Sequence, residues 1–136
     1  MYLARNIKEN ALVVCKFIKE TSVWKWYKDV EENINIPYEI QVMRVFNKYE
    51  YPKAVEYIEH FHLGAGKYVI VMEYLGEEWC DLYDYIENHG PVREDHAREI
   101  FDQIVISIER MHWLGFLHND IKGFIVCMLF DLILIR

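Results

Sequence analysis

Ala11-Leu-Val-Val-Cys-Lys-Phe-Ile18 is the stretch on which the fold turns. It is apolar and rich in β-branched residues, with one lysine set inside it, and it reads as a strand. Side chains alternate across a strand, so Lys16 shares a face with Val14 and Ile18. A lysine in such a row either meets solvent on a half-exposed strand or is held by a partner. Downstream, Pro37 fits the first turn of a helix, where its missing N–H costs nothing. Ile36, Ile40, Met43 and Phe46 then recur at helical spacing, which predicts a helix over residues 37–48. Glu39 lies on or beside that apolar stripe. It is either a first-turn glutamate favoured by the helix dipole or the carboxylate partner of Lys16.

Residues 19–35 are polar and aromatic, with Trp24, Trp26 and Tyr27 and an acidic patch at Asp29, Glu31 and Glu32, and they read as an irregular connection. Residues 54–62 and 67–74 read as two strands, and Gly64-Ala-Gly66 marks the hairpin turn between them. Residues 81–88 predict a short helix stopping near Gly90-Pro91. The strongest periodic signal is 94–113. There Ala97, Ile100, Phe101, Ile104, Ile108 and Met111 form one apolar stripe, and Gly115 ends the helix.

The chain has 136 residues, enough for one domain, with 15 Lys+Arg against 22 Asp+Glu and a net charge of −7. An acidic chain with this much apolar content is neither disordered nor suited to phosphate-backbone binding, so nucleic acid is not an expected partner. Cys15, Cys80 and Cys127 form no C-x-x-C pair, which fits reduced thiols in a cytoplasmic or nuclear compartment. The N-terminus has no run of signal-peptide length, and no apolar stretch reaches the roughly 20 residues of a membrane span. His60 and His62 alternate on one strand face. With no third ligand nearby they read as a solvated face before a metal site. Trp24 and Trp26 read either as a docking surface or as side chains partly packed against the sheet.

A third candidate follows the long helix: Leu117-His118-Asn119-Asp120-Ile121-Lys122, where His, Asp and Lys fall within five residues. Such a loop can host a general base with a charge-stabilising neighbour, although a short pattern also arises by chance.

Taken in order, these segments resemble the protein kinase catalytic domain of the serine/threonine type. Val13-Val-Cys-Lys16 stands where that family has its V-A-I-K strand, and Glu39 stands where its helix C glutamate pairs with the lysine. Tyr68-Val-Ile-Val-Met-Glu-Tyr-Leu75 resembles the fifth strand and hinge. The resemblance makes Met72 the gatekeeper and gives Glu73 and Leu75 backbone groups for adenine. Asp81-Leu-Tyr-Asp-Tyr-Ile86 resembles the start of helix D, which places Asp81 near the ribose. His118-Asn-Asp-Ile-Lys122 resembles H-R-D-L-K, with Asp120 as the base and Lys122 near the transferred phosphoryl group. Within the family, the likeness is to the PAS-domain kinase and Pim branch. It is carried by Val14-Cys-Lys-Phe-Ile-Lys19, the Trp-containing insert and the Asp81 segment.

The resemblance implies an α+β fold: an antiparallel small-lobe sheet with helix C, followed by the first part of a helical large lobe. The expected layout is a partial kinase domain over 1–122, with the small lobe at 1–73, the hinge at 74–80 and the start of the large lobe at 81–122. It implies ATP and Mg as cofactors and a protein Ser or Thr hydroxyl as acceptor. Substrate protein, pathway and oligomeric state have no signature in these residues.

Five departures pull the other way. Residues 1–10 contain no glycine, so they supply at most the second half of the hairpin that carries the family's Gly-rich loop. The position of the catalytic-loop Asn is Ile125, and no D-F-G follows it up to Arg136. Asn119 replaces the motif arginine. Residues 123–136 form a divergent apolar tail that reads as a buried strand pair or, as the favoured reading, as a segment foreign to the fold. The alternative expectation is therefore a truncated, catalytically inactive fragment that binds partners or has no function.

Overall fold

The computed structural model describes residues 1–31, 33–49, 55–77, 79–119 and 121. They fall into two compact units. The first is built from residues up to Tyr49 and from Glu56 to Tyr74, and the second from Leu75 onward.

The first unit is a four-stranded antiparallel sheet of order β1-β2-β6-β5, a two-stranded sheet β3-β4, and one helix. Strand β1 (Tyr2–Asn6) pairs with β2 (Ala11–Lys19). Strand β2 pairs in turn with β6 (Lys67–Glu73), placing Val14 opposite Met72, Lys16 opposite Ile70 and Ile18 opposite Tyr68. Directly opposed residues share a sheet face. Val14, Lys16, Ile18, Tyr68, Ile70 and Met72 therefore lie on one side. Strand β5 (Tyr57–Gly64) completes the sheet. Its turn into β6 is two residues, Ala65 and Gly66, both at positive φ, the primed geometry that matches the strands' twist. Glycine is needed at Gly66 on a second count: a Cβ there would come within 3.2 Å of Glu20 Oε2.

The segment 19–35, expected to be irregular, contains a 3-10 turn at Glu20–Ser22 and most of a hairpin. Strand β3 (Trp26–Asp29) pairs with β4 (Ile34–Pro37), from Trp26 opposite Pro37 to Asp29 opposite Ile34. Each strand is only four residues long, too short for alternation to stand out in the sequence. Pro37 accordingly ends β4 and caps the helix rather than opening its first turn.

Helix α1 (Tyr38–Lys48) begins directly after β4 and contacts β3, β4 and β5. Ile40 and Phe46 are fully buried on it, as are Ile36 on β4 and Ile70 on β6. With Val13, Tyr68, Val69, Val71 and Met72 also buried, this unit holds most of the apolar core among the described residues.

The second unit contains α2 (Leu82–His89) and α3 (Glu94–Trp113). Asp81 caps α2: its carboxylate accepts from the Asp84 N–H at 2.8 Å. Gly90, at φ 81°, follows as its C-cap. Helix α3 carries Glu94 and Asp95 in its first turn and Arg110 and His112 in its last, complementing its dipole. It closes with a Schellman pair, Phe116 N–H to Met111 O and Gly115 N–H to His112 O. Ile100 is the centre of a small cluster with Leu82, Val92, Ile104 and Ile108. No helix among the described residues is long and apolar enough to cross a membrane.

Candidate nucleotide-facing site

The sheet and α1 bring together the first two candidate residues. Lys16 leaves the middle of β2 on the face it shares with Val14 and Met72. Glu39 is the second residue of α1, and its Oε1 forms an ion pair with Lys16 Nζ. The side chains are 35% and 45% exposed. Exposed pairs of this kind contribute at most about 1 kcal/mol to stability once solvent screening is counted. The contact therefore matters less for folding than for what it does to Lys16: the amine is fixed in direction on an otherwise apolar row. Of the two readings of each residue in the sequence, the paired one is the geometry observed.

Met72 is buried on β6, directly across from Val14, so it stands on the same face two positions from Lys16's partner Ile70. Glu73 ends β6. Its backbone N–H donates to Glu56 O at 3.0 Å, and its carboxylate accepts from Glu56 N–H at 2.6 Å, which pins the exit of the strand. Leu75 and Asp81 belong to the second unit, where the Asp81 carboxylate serves as the cap of α2. His118 and Asn119 lie beyond α3, with Asn119 at φ 61°. Asp120, Lys122 and Ile125 lie outside the described residues, as does the apolar tail.

Other polar residues are held by neighbours. His60 Nδ1 lies 2.6 Å from the Tyr57 hydroxyl. His62 stacks on Tyr68 with ring centroids 4.6 Å apart and approaches Glu20 at 3.4 Å. Among the described residues no group of three His, Cys, Asp or Glu is placed to hold a metal ion. Trp24 is 86% exposed, while Trp26 meets the edge of Tyr68 at 6.0 Å.

The acidic patch conceals a feature the sequence did not separate out. Asp29 is buried and forms an ion pair with Arg44 on α1, while its other oxygen accepts from Glu31 N–H at 3.0 Å. Its neighbours Glu31 and Lys28 are exposed. No pattern in the sequence marked it: the strands on either side of the turn are four residues each, too short for alternation to place Asp29 at a strand end.

Comparison with known proteins accounts for the arrangement. The protein kinase domain family matches residues 1–124. NUAK family SNF1-like kinase 2 of Rattus norvegicus is 35% identical over 111 residues, covering 82% of this chain and 16% of that protein. Serine/threonine-protein kinase PSK1 of Saccharomyces cerevisiae is 34% identical over 118 residues, 85% of this chain and 9% of that protein. Among solved structures, Rad53 1–466 in complex with AMP-PNP superposes with a TM-score of 0.66 at 26% identity, over 89% of this chain and 28% of that one. The Cydia pomonella granulovirus kinase PK-1 shares the fold, with a TM-score of 0.67 at 20% identity, over 90% of this chain and 39% of that one. The chain thus spans well under half the length of these relatives. A strand lysine bound to a carboxylate on the adjacent helix, on a sheet of this order and within a match covering nine-tenths of the residues, leaves one assignment: the chain belongs to the protein kinase domain family.

Proposed function

We propose that this chain is part of an ATP-dependent serine/threonine protein kinase, transferring the γ-phosphoryl group to a protein hydroxyl. The observation that carries the reading is the Lys16–Glu39 ion pair on the Val14–Met72 face. The transferred group spreads negative charge over its oxygens, so positioning and positive charge supply most of the catalysis. Lys16, held by Glu39, orients the α- and β-phosphates. Met72 lines the adenine site, and Glu73 and Leu75 offer it backbone groups. Asp81 lies near the ribose. Asp120 accepts the proton of the attacking Ser or Thr hydroxyl, and Lys122 offsets charge on the phosphoryl group. The bound AMP-PNP in the Rad53 structure supports a nucleotide as the ligand of this fold.

A second reading, nucleotide binding without transfer, is favoured by Ile125 at the position where the family places a metal-binding Asn. Titration of the chain with a fluorescent ATP analogue, followed by incubation with ATP, Mg and a Ser/Thr peptide, separates the two. The kinase reading expects saturable binding that weakens at least tenfold in Lys16→Met, and peptide phosphorylation that disappears in Asp120→Asn. Binding without phosphorylation supports the second reading. Affinity unchanged by Lys16→Met sinks both.

A further inference from the structure

The β3-β4 hairpin links three parts of the first unit. It is tied to the main sheet through Tyr68, whose hydroxyl donates to Asn35 O at 3.2 Å and whose ring meets Trp26. It is tied to the start of α1 through Lys25: Tyr38 N–H donates to Lys25 O at 3.0 Å, and Lys25 Nζ sits 3.6 Å over the Tyr38 ring. It is tied to the middle of α1 through the Asp29–Arg44 ion pair. Tyr68 is opposite Ile18, two residues along β2 from Lys16, and Glu39 directly follows Tyr38. The contacts form a closed circuit: β2 to Tyr68, Tyr68 to the hairpin, the hairpin to α1 at two points, and Glu39 back to Lys16.

Packing of Ile40 and Phe46 seats α1 in the core, and the polar ties set its angle within that seat. Two ties, one at the helix N-terminus and one on its second turn, fix its direction as well as its start. The second tie is the stronger constraint because Asp29 is 4% exposed. A carboxylate this buried is poorly hydrated, so its pairing with Arg44 is screened less than the solvated Lys16–Glu39 contact. Glu39, in contrast, is exposed and weakly paired, so nothing in the Lys16 contact itself is strong enough to hold the helix.

We infer that Asp29 and Arg44 are positioning residues: their ion pair holds α1 at the angle at which Glu39 reaches Lys16, with the Lys25–Tyr38 contact as its support at the helix start. The consequence for nucleotide affinity rests on the function proposed above; the placement of Glu39 does not.

The test uses the full chain and reads the pair directly. Lysines are acetylated with N-hydroxysuccinimidyl acetate, and labelling at Lys16 is measured by mass spectrometry relative to exposed Lys8. Glu39→Gln is expected to raise Lys16 labelling about two- to fivefold, the range that an exposed ion pair allows. Asp29→Asn is expected to raise it by a similar factor while circular dichroism shows the sheet intact, and Arg44→Lys to raise it less. In the Glu39→Gln background, Asp29→Asn is expected to add nothing. Wild-type labelling in Asp29→Asn, or an equal increase in both backgrounds, overturns the proposal. Should Asp29→Asn fail to fold, Lys25→Ala takes its place, with a smaller increase expected and no increase counting against. Titration of the same variants with the ATP analogue separates the two claims. A labelling response in a chain that binds no nucleotide overturns only the function. Binding that depends on Lys16 with no labelling response to Asp29→Asn overturns only the positioning role.

Discussion

The two units of this molecule spend their apolar residues differently. The first unit encloses its own: Ile36, Ile40, Phe46 and Ile70 are fully buried between sheet, hairpin and helix. In the second, Ile100 and Met111 are buried on α3, but Phe101 is 64% and Trp113 84% exposed on the same helix. A four-stranded sheet, a hairpin and a helix give each core residue in the first unit neighbours on several sides. Two helices offer one line of contact. The polar pair with the clearest chemistry, Lys16 and Glu39, stands on the well-packed unit, as pre-organisation of a charged site requires.

The largest expected effect tests that contrast. Ile70→Ala should lower the stability of the first unit by about 3 kcal/mol, because the surrounding strands cannot close the cavity. Ile100→Ala should cost less, about 2 kcal/mol, since its helical neighbours are free to move into the gap. Amide exchange read separately in β6 and α3 gives both values. Equal losses would mean that the two units are packed alike.

Next in size is the cap of α2. Asp81→Ala should cost that helix about 1 kcal/mol, and Asp81→Asn much less, because the amide oxygen still accepts from Asp84. The measurement is exchange protection of the α2 amides. The same variants sharpen the functional comparison: a loss of nucleotide affinity in Asp81→Asn with the cap intact would assign the carboxylate a role beyond capping.

Smaller still is Phe101→Ser. On a face this exposed, the substitution should change stability by no more than about 0.5 kcal/mol and raise solubility. A loss above about 1.5 kcal/mol, measured by urea denaturation, would show that the outer side of α3 is covered in solution.

Much of this was legible in the sequence. The strand around Lys16, the helix carrying Glu39, the Gly64-Ala-Gly66 turn and the long α3 each came from a pattern long enough to repeat, and the order of motifs gave the family. The Lys16–Glu39 contact could be anticipated because two residues of opposite charge interrupted two apolar rows. The hairpin could not, because its strands of four residues carry only two alternations each and its turn is mostly polar, like any loop. Asp29 was hidden for a related reason. Charge within a chain segment reads as solvent exposure, and only the arrival of Arg44 from the helix, 15 residues on, makes burial affordable. Phe101 erred in the other direction: helical periodicity gives a stripe, but not how wide a stripe the neighbours will cover.

The finest expected effect concerns Tyr68, the residue through which the sheet grips the hairpin. Burial raises its phenol above the ordinary value of 10.0, with the nearby Glu20 carboxylate adding to the shift. A raised value in the folded state means that the folded chain keeps its proton where the unfolded chain has lost it. The contribution to stability is then whole below pH 10 and declines as pH climbs from there through the folded-state value. Tyr68→Phe keeps the ring against Trp26 and His62 but removes both the ionisation and the hydrogen bond to Asn35 O. It should cost about 1 kcal/mol at neutral pH. That gap to wild type should narrow above pH 10, as the wild-type phenol is forced to ionise. Urea midpoints for both proteins between pH 8 and 11 measure the difference, for which only the change in gap matters, since the other tyrosines and lysines titrate alike in both. A gap that stays constant would mean that Tyr68 ionises as freely folded as unfolded, and that the sheet-to-hairpin tie is wetter than its burial implies.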